Sequence, residues 1–153
     1  MRNDILIRII TSEDYELITS LTNQLGPNVQ SDIVKDQIDK ILNNPDHFAF
    51  VAVLDEEVVG YIHCFNAIRL TSKPFTEICG LVVDEKERGN GIGKLLVKHV
   101  ETLFNDNRKI RVRCNVKRDL AHKFYSDLGY SLSKEQMIFE KKDFKNNPLS
   151  PTQ

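Results

Sequence analysis

Neither sign of charge is in excess in this chain. Twenty-one lysines and arginines face 22 acids, for a formal net charge of −1. No strong pull toward nucleic acid or an anionic membrane surface is expected; Lys117-Arg118 is only a short basic patch. Long apolar runs are missing too: nothing approaches the roughly 18 consecutive apolar residues of a spanning helix. The start, Met1-Arg2-Asn3-Asp4, lacks the apolar core of a signal peptide, so cytoplasm is the expected compartment. The three cysteines, Cys64, Cys79 and Cys114, are far apart and form no C-x-x-C. Each sits in an apolar, strand-like run, which predicts buried thiols in a reducing compartment. His47, His63, His99 and His122 show no ligand spacing with one another or with cysteine, so no metal site is expected. Internal repeats and low-complexity segments are absent.

What is present fits one globular domain. The 153 residues are 41% hydrophobic and 28% charged, enough to bury a core without staples. Residues 1–145 read as one domain and 146–153, polar with two prolines, as a tail. Ile5 to Ile10 is a β-branched strand. Thr11 and Asp14 make a capping-box start for a helix carrying Tyr15, Ile18, Leu21 and Leu25. A second helix spans about Ser31 to Asn43 and stops at Asn43-Asn44-Pro45. His47 to Leu54 is apolar on both faces, an internal strand. Val58 to Phe65 returns beside it. Pro74 precedes the strand-like run Phe75 to Val83, in which Gly80 signals a bulge or a close approach. A helix from about Gly91 to Phe104, a strand over Lys109 to Cys114 and a short helix over Leu120 to Leu128 follow, the last capped by Gly129. Tyr130 to Leu132 and Gln136 to Lys142 read as a closing pair of strands. The order β-α-α-β-β-β-α-β-α-β-β predicts an α/β or α+β fold with a mixed sheet.

Gly89, Gly91 and Gly93 crowd into the turn between the strand ending at Val83 and the following helix. A helix start exposes unpaired N–H groups and the positive end of the dipole, and glycine lets an anion approach that backbone. A diphosphate is the natural guest. The dinucleotide pattern G-x-G-x-x-G fails, because Lys94 or Leu96 stands where the third glycine belongs. The P-loop pattern fails at Arg88 and Leu95. A glycine-rich turn with no ligand is the plain alternative.

Arg88-x-x-Gly91-x-Gly93 after an apolar strand resembles the acetyl-CoA signature of the GNAT family of N-acetyltransferases. A second stretch agrees: Asn115, then Ala121-His122-Lys123-Phe124-Tyr125, then Leu128-Gly129-Tyr130, resembles the family's closing motif. The element order matches across nearly the whole chain; in the first 75 residues and the tail only that order agrees. The resemblance implies transfer of an acetyl group from acetyl-CoA to a primary amine of a small molecule or peptide, directly within a ternary complex. It implies that the backbone of Leu81, Val82 and Val83 pairs with the pantetheine arm. Arg88, Gly89, Asn90, Gly91, Ile92, Gly93 and Lys94 would hold the diphosphate, with Asn115, Ala121 and Tyr125 completing the cofactor contacts. A homodimer is the family-level expectation; no nucleic acid, membrane or metal partner is expected.

The chemistry sets its own demands. A lysine-like ammonium of pKa about 10.4 must lose a proton before it attacks, and a leaving thiolate benefits from a donor. Glu77, on the strand leading to the turn, is the candidate base; the alternatives are a solvent-facing glutamate or a water relay. The resemblance places the Tyr125 hydroxyl near the CoA sulfur and so implies that it is the acid; the alternative is a core tyrosine on the stripe Leu120, Ala121, Phe124, Tyr125 and Leu128. Cys79 has no histidine placed by sequence to activate it. A non-catalytic acyl-CoA sensor and a protein or peptide acetyltransferase are the rival functions.

Overall fold

The structure, a computed structural model, describes residues 4–104 and 106–142. The chain divides into two compact units, the break falling after Lys117. The first unit is built on one sheet in the order β1-β2-β3-β4-β5. Its strands are β1 (Leu6–Ile9), β2 (His47–Leu54), β3 (Glu57–Arg69), β4 (Ser72–Val83) and β5 (Ile110–Val112). Neighbours from β1 to β4 are antiparallel, and only β4 and β5 are parallel. The helices α1 (Tyr15–Asn23), α2 (Ser31–Leu42) and α3 (Ile92–Glu101) complete this unit.

Strand alternation explains the layering. Ala49 and Val51 of β2 pack with Ile10, with Ile18 and Leu21 of α1 and with Ile38 of α2. The opposite face meets α3, which buries Ile92, Leu96, Val97 and Val100. Each such side chain contributes roughly 1.5–3 kcal/mol. Gly60 lets α3 approach: a Cβ there would lie 3.0 Å from the Val82 carbonyl oxygen and 3.4 Å from Leu96 Cδ1. Phe50 and His99 meet edge to face at 4.4 Å on the same side.

The capping box forms as the sequence predicts. Asp14 Oδ2 accepts from the Thr11 backbone N–H at 2.8 Å. Both Asp14 oxygens also take Arg8 guanidinium bonds, each at 2.9 Å. Burial pushes the Asp14 carboxyl up, but the Arg8 bonds, the Thr11 N–H and the Arg8 charge outweigh it and leave it below the usual range.

Two expectations need correction. Pro74 does not precede a strand; it lies inside β4. Pairing of β4 with β5 begins only at Thr76, so Pro74 sits on an edge, beside a register shift between Ala67 and Arg69, where a missing N–H costs no ladder bond. The closing strands Tyr130 to Leu132 and Gln136 to Lys142 do not form among the described residues. Leu132, Met137, Ile138 and Phe139 are exposed there. Alternation supplies a strand's faces but not its partner, and a strand satisfies its backbone only against a neighbour. The predicted tail, 146–153, lies outside the described residues.

The second unit contributes α4 (Asp119–Asp127). It ends in a Schellman motif. Gly129, at φ +93°, donates to Ser126 O at 3.0 Å, and the Tyr130 N–H donates to Tyr125 O at 3.0 Å. The Tyr125 and Tyr130 rings meet 5.8 Å apart, the apolar contact that accompanies this cap.

Candidate active site

The site grows from the far end of β4. Parallel pairing with β5 covers only Thr76, Glu77 and Ile78. Cys79–Val83 continue against β3 but have no β5 partner. Gly80 pairs with His63 while Ile78 pairs with Cys64, so Cys79 is an extra residue, a β-bulge. The bulge predicted at Gly80 is therefore present one residue earlier. A Cβ at Gly80 would meet nothing nearer than 3.7 Å, so no close approach requires the glycine. Leu81 and Val83 are half-buried and Val82 is buried.

Beyond Val83 the chain passes a 3₁₀ turn, Glu85–Glu87, and reaches the glycines. Gln24, just past α1, braces this exit: its side chain accepts from the Glu85 N–H at 3.0 Å. Gly89 and Gly91 adopt φ of +79° and +85°, and nothing lies within 4 Å of either Cβ direction. Their conformation, not crowding, requires glycine. Gly91 is the N-cap of α3, and the first helical bond runs from the Leu95 N–H to the Gly91 carbonyl at 3.0 Å. The N–H groups of Ile92, Gly93 and Lys94 precede that ladder and point out of the helix start. Ile92 is buried and anchors the turn; Gly89, Asn90, Gly91 and Lys94 are exposed. Arg88 folds back, its Nε donating to the Val83 carbonyl at 3.1 Å. It thus buttresses the turn as well as charging its rim.

Glu77 is buried, which rules out the solvent-facing alternative. It is also engaged: Arg113 Nε donates to Oε1 at 3.2 Å, and Arg111 lies 3.9 Å from the same oxygen. Asn115 turns inward on its own loop, accepting from the Lys117 N–H at 2.9 Å. In the second unit Tyr125 is buried, with Phe124 edge to face at 5.0 Å. Ala121 on the same helix is half-buried.

Sequence reasoning missed one cluster. His47 Nδ1 and His63 Nε2 lie 2.9 Å apart, and His63 Nδ1 lies 3.1 Å from Cys79 Sγ. Cys79 is exposed, not buried like Cys64, because the bulge turns it outward. No short-range spacing announces this contact, since register alone joins the three strands. Burial, helped by His47, pushes the His63 imidazole down to about 4; although Cys79 as a residue is exposed, desolvation of its sulfur, helped by the Glu77 charge, pushes the thiol up to about 11. Among the described residues no group of three or more His, Cys, Asp or Glu is arranged to hold a metal ion. A surface hollow at the end of α2 is lined by Asp39, Lys40, Asn43, Asn44, Pro45 and Asp46, and the His47 N–H donates to the Asn44 carbonyl at its edge at 3.2 Å.

A parallel pair that stops short, a bulged strand and a glycine turn opening a helix place free helix-start N–H groups at a strand's carboxyl end, an arrangement able to receive an anion. Residues 14–130 match the model of the acetyltransferase (GNAT) family, and the chain belongs to that family. A solved structure described as a transcriptional regulator from Bacillus halodurans C-125 is 22% identical, covering 90% of this chain and 100% of its own, with a TM-score of 0.80. The aminoglycoside N-acetyltransferase AAC(6')-Iy, solved in complex with CoA, is 19% identical over 92% of this chain and 96% of its own, with a TM-score of 0.80. The aminoglycoside 6'-N-acetyltransferase AAC(6')-Ih from Acinetobacter baumannii is 16% identical over 92% of this chain and 99% of its own, at 0.79. At these identities the likeness is one of fold.

Proposed function

We propose that this GNAT-family acetyltransferase moves an acetyl group from acetyl-CoA directly to a primary amine on a small molecule or peptide. The observation that carries the reading is the end of β4, paired with β3 but past the reach of β5, running into a left-handed glycine turn at a helix start. The open backbone of Leu81, Val82 and Val83 offers the pantetheine arm a strand to pair with. The amides of Arg88, Gly89, Asn90, Gly91, Ile92, Gly93 and Lys94 receive the diphosphate. Asn115 and Ala121 are the further cofactor contacts in this reading. Tyr125 protonates the departing CoA thiolate, and a backbone N–H near the bulge stabilises the charge developing on the carbonyl oxygen. Glu77 is the proposed base, and to accept a proton at Oε1 it must first release Arg113; a relay is the other route.

The acceptor is a small amine, in keeping with the aminoglycoside enzymes of like fold. Nucleic acid and membrane have no part in the reading, and no helix among the described residues is long and apolar enough to cross a membrane. Cys64 and Cys79, neither in a disulfide, suit a reducing compartment such as the cytoplasm.

One observation favours a second reading. A glutamate held by two arginines suits a non-catalytic acyl-CoA sensor as well as an enzyme. Thermal shifts with acetyl-CoA, CoA, ATP and NAD test the cofactor. Ligand at a hundred times its Kd stabilises by about 2.7 kcal/mol, a rise of roughly 5–10 °C for a chain this size. A rise with both CoA species alone is expected; a response to ATP or NAD instead sinks the reading. Thiol release from acetyl-CoA with an amine panel then separates enzyme from sensor.

A further inference from the structure

We propose that, while Glu77 stays held by Arg113, the relay route operates in its place: Cys79, His63 and His47 form a proton wire that carries the acceptor ammonium's proton from the acyl-transfer site to solvent. The inference rests on the acetyl-transfer reading above. Its basis is a continuous line of three polar side chains across three strands. Cys79 Sγ and His63 Nδ1 are 3.1 Å apart, and His63 Nε2 and His47 Nδ1 are 2.9 Å apart. Both nitrogens of His63 are therefore engaged, one on each side, as a relay requires and a terminal base does not. The His63 carbonyl oxygen, 3.4 Å from Sγ, is the other acceptor within reach of the single S–H. His47 is steadied by stacking on Phe65, with ring centroids 5.3 Å apart.

The wire begins in the right place. Cys79 is the bulge residue, directly before the stretch of β4 that lacks a β5 partner. It is exposed there, whereas His63 and His47 are half-buried. The titratable groups that face it are Glu77 on β4, held by Arg111 and Arg113, and on β3 the Cys64 thiol and the Tyr61 phenol, which donates to or accepts from Thr22 at 2.7 Å.

The chemistry balances. In the resting arrangement we assign, the thiol donates to His63 Nδ1 and His63 Nε2–H donates to His47 Nδ1, the tautomer that both distances allow. As the ammonium N–H breaks, its proton joins Sγ. The thiol's own proton passes to His63 Nδ1, and the Nε2 proton passes to His47 Nδ1. His47 becomes imidazolium and discharges its extra proton to water. His63 changes tautomer without ever carrying charge. Its imidazole, held down at about 4, and the Cys79 thiol, held up at about 11, both stay neutral near pH 7, as donor-acceptor links should.

The test is the pH profile of kcat/KM with an alkylamine acceptor. Cys79→Ala and His63→Gln should each slow turnover about 100-fold near pH 7. The deficit should close toward pH about 10, where the amine is already deprotonated. Cys79→Ser, which keeps a hydroxyl in line, should recover most of the loss. A purely structural role gives a deficit that does not close with pH, and that result overturns the wire. So does wild-type behaviour in both variants. CoA-induced thermal shifts in the same variants report folding and cofactor binding. If the unaltered protein transfers acetyl to no amine, the acetyl-transfer reading falls and takes the wire with it. If it does transfer and the variants match it at every pH, the wire alone falls.

Discussion

His63 and Asp14 tie the fold to acidity, and the sign is the same for both. An imidazole held near 4 stays neutral in the fold while the unfolded chain takes up a proton near pH 6.5. Stability is therefore intact above about 6.5 and declines as pH falls toward 4, by up to about 3 kcal/mol. The Asp14 carboxyl, held below its usual range by Arg8, adds to the loss at lower pH. Its contribution is present above the unfolded value near 3.9 and disappears as pH falls through the lower folded value. Urea midpoints at pH 7 and 4.5 check this. His63→Gln should lose less stability between those pH values than the unaltered chain, and an equal loss would remove His63 as the cause. The Thr11–Asp14 box and the Gly129 cap were legible in the sequence because their partners lie within a few residues. The contacts of Cys79 with His63, and of Glu77 with Arg113, were not. Each crosses strands, and a bulge at residue 79 reverses the parity on which face assignments depend.

At the level of elements, the β3–β4 pair does most to shape the site. Two glycines in it have different reasons for being there. Gly60 admits α3, and a Cβ would press on a backbone oxygen at 3.0 Å. Gly80 faces Tyr61 and His63 at ordinary contact distances of 3.7 and 3.8 Å. Gly60→Ala should cost roughly 1–3 kcal/mol, since strand and helix must both yield, while Gly80→Ala should stay within about 0.5 kcal/mol. Denaturant midpoints of the two variants decide it, and equal costs would contradict the packing described. The sequence marked Gly80 and passed over Gly60, because a helix's approach is set by tertiary packing and leaves no trace in local pattern. The helices, by contrast, were readable: the stripe Ile92, Leu96 and Val100 carries its own period and needs no partner to declare itself. The closing strands failed for the complementary reason, that pairing is decided elsewhere in the chain.

For the whole molecule the question is whether the acetyl group ever rests on the protein. The exposed Cys79, with His63 at 3.1 Å and His47 behind it, has the outline of a nucleophile, a base and an orienting group. Its charge state argues otherwise. A thiol held up at about 11 beside an imidazole held down at about 4 carries almost no thiolate near neutrality. In the proposed direct transfer the deprotonated amine attacks instead, which requires both substrates bound together. Initial rates measured against both substrates should then give intersecting reciprocal plots. Incubation with acetyl-CoA alone should add no acetyl mass to the protein. Parallel plots, with an acetyl group on Cys79, would mean that the same three residues pass an acyl group rather than a proton, and the direct-transfer mechanism would have to be abandoned.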